Sequence, residues 1–129
     1  MAGRGHRDIF ADDISWLEGS SPGISYARFL MDEDDPASPL FILTRFEPGE
    51  TVQPHTHAAN YCEYVIEGEQ TVGKVTFRKG DVRIVKGGTG YGPITIGPEG
   101  CTVMIVFQQA SGAMMQPLGS AKKGMAQDG

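Results

Sequence analysis

The stretch GETVQPHTHAANYCEYVIEGEQ, residues 49–70, is the segment from which the fold is interpreted. It follows the turn at 47–50, passes through a β-branched segment at 51–57 that carries two histidines, and reaches an apolar segment at 61–66. Short segments rich in β-branched and aromatic residues, separated by Gly and Pro, are typical of antiparallel strands. The stretch therefore predicts strands joined by tight turns, with Pro54 indicating an edge or an irregular ladder.

The same pattern continues on both sides of this stretch. Turns are predicted at 67–69, 79–81 and 97–100, and no segment beyond the first dozen residues has a convincing helical period. The further predicted strands cover 40–46, 74–77, 82–85, 93–96 and 101–107. Many short strands at this spacing predict an all-β domain, an antiparallel sandwich or barrel.

The length of 129 residues indicates one domain. Residues 1–13 are predicted to be a loose arm, residues 14–109 the barrel, and residues 110–129 a flexible tail rich in Gly, Ala, Ser and Met. Trp16, in the first apolar cluster, is expected to pack on the barrel.

Composition excludes several classes of function. A net charge of −5 and a pI near 5.1 argue against a nucleic-acid partner, which needs clustered Lys and Arg. No apolar run approaches the roughly 18 residues of a membrane span, and the first ten residues lack the apolar run of a signal peptide. Cys62 and Cys101 match no metal or redox spacing and are interpreted as buried thiols. A cytoplasmic protein that binds a small molecule is expected.

His55 and His57 are the first candidate site residues. Alternate residues of a strand point to the same face, so both imidazoles are expected to project together. Two neutral imidazoles that converge are a natural beginning for a transition-metal site, which needs one or two more N or O donors. The alternative is a pair of polar residues at a strand end facing water.

The wider context of these histidines resembles the cupin family. The first cupin signature, G-x5-H-x-H-x3,4-E-x6-G, is matched by Gly49, His55, His57 and Gly68, and the second, G-x5-P-x-G-x2-H-x3-N, begins at Gly80. Gly88 is also in register with the second signature. The resemblance covers about residues 40–107 and implies a double-stranded β-helix, or jelly-roll barrel. It also implies one divalent metal (Fe, Zn, Mn or Ni), a small-molecule substrate and a homodimer.

The chain departs from the cupin pattern at the metal ligands. Tyr61 stands where the family has its Glu, Tyr91 where it has the third His, and Lys86 where it has Pro. Glu63 lies two residues beyond Tyr61 on the same predicted face, so His55, His57 and Glu63 could form the two-His, one-carboxylate set that suits iron(II). The alternative is an ion pair between Glu63 and Arg45 or Arg83.

The tyrosines and one arginine complete the candidate set. Tyr61 or Tyr91 could supply a phenolate ligand or donate a hydrogen bond to substrate, and Arg45 is a candidate substrate contact. Tyr91 sits among glycines at 86–93, which would let the backbone approach a ligand, and a phenol of lowered pKa could act as acid or base. A plain glycine turn with a packing tyrosine is the alternative.

These residues favour a small metal-dependent enzyme acting on a carbonyl or carboxylate compound, with Glu63 and Tyr91 as catalytic groups. Oxygenase chemistry fits the two-His, one-carboxylate set, and lyase or isomerase chemistry fits the carboxylate and the phenols. Two alternatives remain open: a non-catalytic sensor or carrier, and a metal-free enzyme in which the histidines are acid and base.

Overall fold

A computed structural model describes residues 5–118 of the chain. Within this range it contains ten β-strands and two 3-10 helices of three residues each, so the all-β prediction is confirmed. The described residues contain no helix that is long and apolar enough to cross a membrane. The strands are β1 (Leu17–Glu18), β2 (Ile24–Leu30), β3 (Leu40–Phe46), β4 (Thr51–Val52), β5 (His55–Thr56), β6 (Tyr61–Val72), β7 (Val75–Arg78), β8 (Val82–Val85), β9 (Ile94–Phe107) and β10 (Gln116–Pro117), and the 3-10 helices are Ala11–Asp13 and Ala110–Gly112.

Two long strands, β6 and β9, join the barrel together. The main sheet has the order β1-β2-β3-β9-β6-β7, with β4 added to β9 and β8 added to β6. All of its pairs are antiparallel, and β5 forms a separate two-stranded sheet with β10. Because β6 and β9 each have different neighbours along their lengths, they carry the chain from one wall of the barrel to another.

Two of the predicted turns are wrong. The residues at 67–69 and 97–100 lie inside β6 and β9, where the register shifts between Val65 and Glu67 and again between Gly68 and Gln70. Gly68 has φ of +76°, and a Cβ there would meet the carbonyl oxygen of Gly100. The glycines therefore make a β-bulge, which bends a continuous strand pair, rather than a reversal of the chain. The turn predicted at 79–81 does separate β7 from β8.

Three further boundaries differ from the sequence prediction. Strand β2 was not foreseen, because its alternation is interrupted by Tyr26 and Arg28. The segment 51–57 is split into β4 and β5 by Gln53 and Pro54. Residues 110–118 pack on the barrel, where Leu118 N–H donates to the Pro54 carbonyl, so the packed structure does not stop at 109. The rest of the predicted tail, 119–129, lies outside the described residues.

The interior is filled by two apolar clusters. One is built on Leu40, Ala59, Tyr61, Val85 and Phe107, and the other on Val65, Ile94, Ile96, Cys101 and Val103. Tyr91 and Ile105 contact both clusters. Tyr91 therefore sits where the two halves of the core meet.

Candidate functional site

His55 and Tyr91 are held opposite each other by the backbone. His55 N–H donates to the Tyr91 carbonyl at 3.0 Å, and Tyr91 N–H returns the bond at 3.1 Å, which makes an antiparallel bridge. Directly opposed residues of an antiparallel pair send their side chains to the same face. The Tyr91 hydroxyl accordingly meets His55 Nε2 at 2.8 Å.

Both histidines have a defined tautomer. His55 Nδ1 lies 2.9 Å from the Gln53 carbonyl oxygen, and His57 Nδ1 lies 2.8 Å from the Ala113 carbonyl oxygen. Because a carbonyl oxygen can only accept, each Nδ1 carries the proton, and in the neutral ring Nε2 carries the lone pair. This is the arrangement by which ligating histidines are oriented in metal sites.

The protein holds both histidines in the neutral form near pH 7. Burial lowers the pKa of His55, and the hydrogen bond to Gln53 only partly opposes it. Burial also lowers the pKa of His57, and the hydrogen bond to the Ala113 carbonyl, which raises this pKa, only partly opposes the effect. Neutral imidazole is the form that donates a lone pair to a metal or accepts a proton.

Aromatic rings surround the two imidazoles. The rings of His55 and His57 meet edge to face at 5.1 Å between centroids, and His57 lies 5.1 Å from Tyr61 and 5.0 Å from Phe107. Tyr91 lies 4.6 Å from His55. The histidines thus sit at the polar edge of an aromatic cluster, in which desolvation strengthens every polar contact.

The Tyr61 hydroxyl is the polar group of this cluster that lacks a partner. It is buried and makes no hydrogen bond to any described residue. Burial raises the pKa of Tyr61, whereas the neighbouring Tyr91 and Arg83 act in the opposite direction. An unpaired buried hydroxyl is unfavourable by about 1–3 kcal/mol, and the nearby Tyr91 and Arg83 side chains do not satisfy this one in good geometry, so its oxygen is available to a bound molecule.

Tyr91 is also a protonated phenol. Burial and the neighbouring Tyr61 raise its pKa, the opposite of the lowering that the sequence-based acid–base role required. Both phenols are therefore protonated at neutral pH and able to donate a hydrogen bond, which Tyr91 does to His55.

Glu63 points into the barrel, but an arginine holds it. Its Oε1 lies 2.7 Å from Arg83 Nη1 and accepts a second hydrogen bond from Gln70 Nε2 at 2.7 Å. Both charged side chains are buried, at 7% and 10% exposure. The ion-pair alternative is thus the one seen, with Arg83 and not Arg45 as the partner.

The guanidinium of Arg83 extends the pair toward the site, because it lies 4.6 Å above the ring centre of Tyr91. Gln70 Oε1 is buried without a partner among the described residues. Glu63, Gln70 and Arg83 therefore form a polar group beside Tyr91, separate from the Nε2 atoms of His55 and His57.

Arg45 lies outside this site. It is exposed on β3, and its guanidinium stacks 3.8 Å from the ring centre of Trp16. Trp16 does pack on the barrel, on its outer side. Nothing in this placement brings Arg45 to the histidines, so it is removed from the candidate set.

The glycines around Tyr91 serve chain packing. A Cβ at Gly87 would meet the Ala58 carbonyl oxygen, and one at Gly90 would meet the Leu118 side chain. The close approach expected for a ligand is therefore made by neighbouring segments of the same chain.

The donor set fits a transition metal through nitrogen and phenol oxygen, not through a carboxylate. No group of three His, Cys, Asp or Glu among residues 5–118 is arranged to hold a metal ion. Two neutral imidazoles with fixed Nε2 lone pairs, beside the unpaired Tyr61 hydroxyl and the Tyr91 hydroxyl, remain as donors. Imidazole suits Zn, Cu, Fe and Ni, so the residues present fit such an ion.

Three residues of the candidate site were not predicted from the sequence. Gln70 carries a signal in hindsight, since a fully buried amide in a strand needs polar partners. Ala113 acts through its carbonyl, and Phe107 through its ring, and neither chemistry is distinctive in sequence.

The barrel, its paired histidines and its strand order define a cupin. Residues 6–111 match the model of the ChrR cupin-like domain family, which covers most of the chain. The chain belongs to that family. No curated protein matches the sequence.

Solved structures agree on the fold. The polyketide cyclase RemF from Streptomyces resistomycificus superposes with a TM-score of 0.74 at 13% identity, over 91% of this chain and 88% of that chain. KdgF from Halomonas sp. gives 0.62 at 20% identity, over 79% and 94%. A chain from the complex of Rhodobacter sphaeroides SigE with the anti-sigma ChrR gives 0.63 at 17% identity, over 76% of this chain and 51% of that chain. At these identities the similarity shows the fold alone.

Proposed function

We propose that this chain is a metal-binding cupin that acts on a small organic molecule carrying a carbonyl or carboxylate group. His55 and His57 would hold one divalent transition metal, with Tyr61 or Tyr91 as an additional oxygen donor. The observation that carries the proposal is the pair of Nδ1 bonds to backbone carbonyls, which turns both Nε2 lone pairs into the site, where that of His55 meets the Tyr91 hydroxyl and would have to exchange it for a metal. A metal, when bound, would supply Lewis-acid polarisation of a substrate oxygen.

The phenols supply the remaining chemistry of the proposed site. As protonated groups of raised pKa, Tyr61 and Tyr91 can donate hydrogen bonds to an oxygen that gains negative charge. Such stabilisation supports lyase or isomerase chemistry. Oxygenase chemistry loses its support, because the carboxylate of Glu63 is engaged by Arg83. In this proposal Glu63 is the buried counter-charge of Arg83.

We also propose a reducing compartment, such as the cytoplasm, since both cysteines are free thiols.

A second candidate is a non-catalytic ligand sensor. The carboxylate in the barrel, Glu63, is held by two hydrogen bonds, so it is not free to act as a general base. A barrel that binds a metal or small ligand without turnover fits this observation.

Metal analysis tests the proposal. Protein purified without a histidine tag is loaded with Fe, Zn, Mn or Ni, and bound metal is measured by elemental analysis. One metal per chain is expected in the parent and in His6→Ala, a control at an exposed histidine of the arm. Loss of metal is expected in His55→Ala and His57→Ala, with retention in Glu63→Gln.

The result that would overturn the proposal is a folded parent that takes up none of the four metals. To separate the two candidates, the loaded protein is screened with small carbonyl and carboxylate compounds by thermal shift, and each binder is followed by NMR. A binder that is converted supports the enzyme, and one that is bound unchanged supports the sensor.

A further inference from the structure

Strand β2 has a free edge over its last residues. On one side it pairs with β3 along its whole length, whereas on the other side β1 covers it only at 25–26. Just beyond β2, the Met31 N–H donates to the Pro39 carbonyl on the β3 side. Because successive residues of an antiparallel strand direct their backbone groups to opposite sides, Arg28 and Leu30 direct theirs away from β3, toward the free edge.

Three of the four backbone groups at this edge have no hydrogen-bond partner in the part of the chain that the structure describes. The Leu30 carbonyl accepts a hydrogen bond from the Arg7 guanidinium at 2.6 Å. The N–H and carbonyl of Arg28 and the N–H of Leu30 remain unpaired. They are left open because the arm folds into the 3-10 helix Ala11–Asp13 and does not continue β1 alongside β2. A strand edge with unpaired donors and acceptors is a template for an added strand.

A cleft of about 440 Å³ lies along this edge. Its volume falls in the usual range of ligand pockets. The arm and residues 27–30 of β2 line it, and they contribute the apolar side chains of Ile9, Ile14 and Phe29. The cleft thus joins free backbone groups to an apolar wall, which is the combination that binds an extended peptide by strand addition.

Arg28 supplies an uncompensated positive charge to the cleft. Its side chain is exposed and makes no hydrogen bond or ion pair with any residue in the described range 5–118. Arg7, by contrast, lies 3.7 Å from Glu33, and Asp8 lies 3.1 Å from the ring of His6. A guanidinium beside an unpaired backbone N–H of the same residue favours a carboxylate, which can accept from both.

Strand β1 limits how far an added strand can run. Leu17 lies opposite Tyr26, and Ser15, two residues earlier in the chain, lines the cleft. A peptide antiparallel to β2 would therefore enter beside Leu30 and reach Arg28 with its last residue. A chain that stops at that point ends in a carboxylate.

We propose that the free edge of β2 binds the C-terminal end of an extended peptide, added antiparallel to the strand. The last peptide residue donates its N–H to the Arg28 carbonyl, and its carboxylate accepts from the N–H and the guanidinium of Arg28. The residue two positions earlier accepts from the Leu30 N–H, and the side chain between them packs beside Phe29 and Ile14. The exposed Asp13, which also lines the cleft, disfavours acidic side chains, so apolar residues are expected at the end of the peptide.

Peptide binding to the full chain tests this proposal. The probes are N-acetylated tetrapeptides of Val, Ile, Leu and Phe with a free C-terminus, and each has its C-terminal amide as the matched control. The free acids should bind at least about tenfold more tightly than the amides, because the amides lose the charge-assisted hydrogen bonds. In hydrogen exchange, the amides of Arg28 and Leu30 should be fast in the free protein and slow with the acid peptide. The Phe29 amide, which faces β3, should be slow in both.

Two variants separate the charge from the backbone. Arg28→Gln removes the guanidinium and keeps the N–H, so it should weaken the free acid about tenfold and leave the amide unchanged. Arg28→Pro also removes the N–H, which a strand edge tolerates, and should abolish binding of both peptides. Arg78→Gln is the matched control, at an exposed arginine of β7, and should bind like the parent. Thermal melts check that each variant is folded.

Three results would overturn the proposal. The first is that no peptide of the panel binds at millimolar concentration. The second is equal binding of acid and amide, or of parent and Arg28→Gln. The third is protection of the Arg28 and Leu30 amides in the free protein. If that protection rises with protein concentration, a second copy occupies the edge, and if it does not, the chain covers its own edge.

Discussion

Glu63 and Arg83 face each other across strands β6 and β8, and their charged groups meet at 2.7 Å inside the barrel. The pair lies beneath Tyr91, which contacts the arginine through its ring and His55 through its hydroxyl. The ion pair, the tyrosine and the histidine thus form a continuous chain of contacts from the polar interior to the proposed metal site.

Breaking this pair should destabilise the protein strongly. Glu63→Gln and Arg83→Met should each lower the free energy of unfolding by about 3–5 kcal/mol, because each leaves a buried partner uncompensated. The double variant should lose less than the sum of the two, since it removes both charges. Urea unfolding of the four proteins measures the coupling. Changes below about 1 kcal/mol would mean that water reaches the pair.

Tyr61→Phe should affect stability and binding in opposite directions. Removal of an unpaired buried hydroxyl should raise the free energy of unfolding of the metal-free protein by about 1 kcal/mol. The same change should weaken metal or ligand binding, because the orphan oxygen is the proposed extra donor. Calorimetric melting with and without metal separates the effects.

Tyr91→Phe is the contrasting variant. It loses the hydrogen bond to His55, so the metal-free protein should become less stable by about 1 kcal/mol. Equal effects of the two substitutions would show that the Tyr61 hydroxyl has a partner in solution.

Stability should fall as the pH drops below the histidine range. Burial lowers the pKa of His55 and His57 in the folded state, so the unfolded chain takes up protons first as pH falls through 6.5. The two neutral histidines make their full contribution to the free energy of unfolding at a pH above their pKa in the unfolded chain. Below that pH the contribution is lost, by at most about 1.4 kcal/mol per pH unit for each histidine. Urea unfolding between pH 7.5 and 5.5 measures the slope. The double variant His55→Gln, His57→Gln should flatten it, and an unchanged slope would assign the effect to other groups.

The bulge glycine should be far more sensitive than a turn glycine. Gly68→Ala combines φ of +76° with a Cβ that would collide with the Gly100 carbonyl. Gly80→Ala has a similar φ of +92° but open space around the Cβ. In the control, Gly80→Ala, the free energy of unfolding should fall by about 1–2 kcal/mol because of the left-handed backbone alone. It should fall clearly more in Gly68→Ala. Similar losses in thermal melts would show that the strands part easily at the bulge.

Local sequence determined much of the fold. The cupin resemblance is confirmed by the family match, and the strands at 40–46 and 82–85 have the predicted bounds, whereas the predicted strand 101–107 is the second half of β9. The glycines at 68 and 100 were misinterpreted as turns, because the same residue type serves a turn and a bulge. Only pairing with the opposite strand distinguishes the two.

The sequence by itself determined that this chain forms a cupin barrel with His55 and His57 side by side, since strand period, turn chemistry and motif spacing are local properties. Tertiary structure decided which arginine pairs with Glu63, because Arg83 lies opposite it in the ladder while Arg45 points outward. It also brought Gln70 to Glu63, seven residues away, through a bulge that shifts the alternation by one. Cross-strand register and bulges are set by contacts between distant segments, and single-strand periodicity carries no record of them.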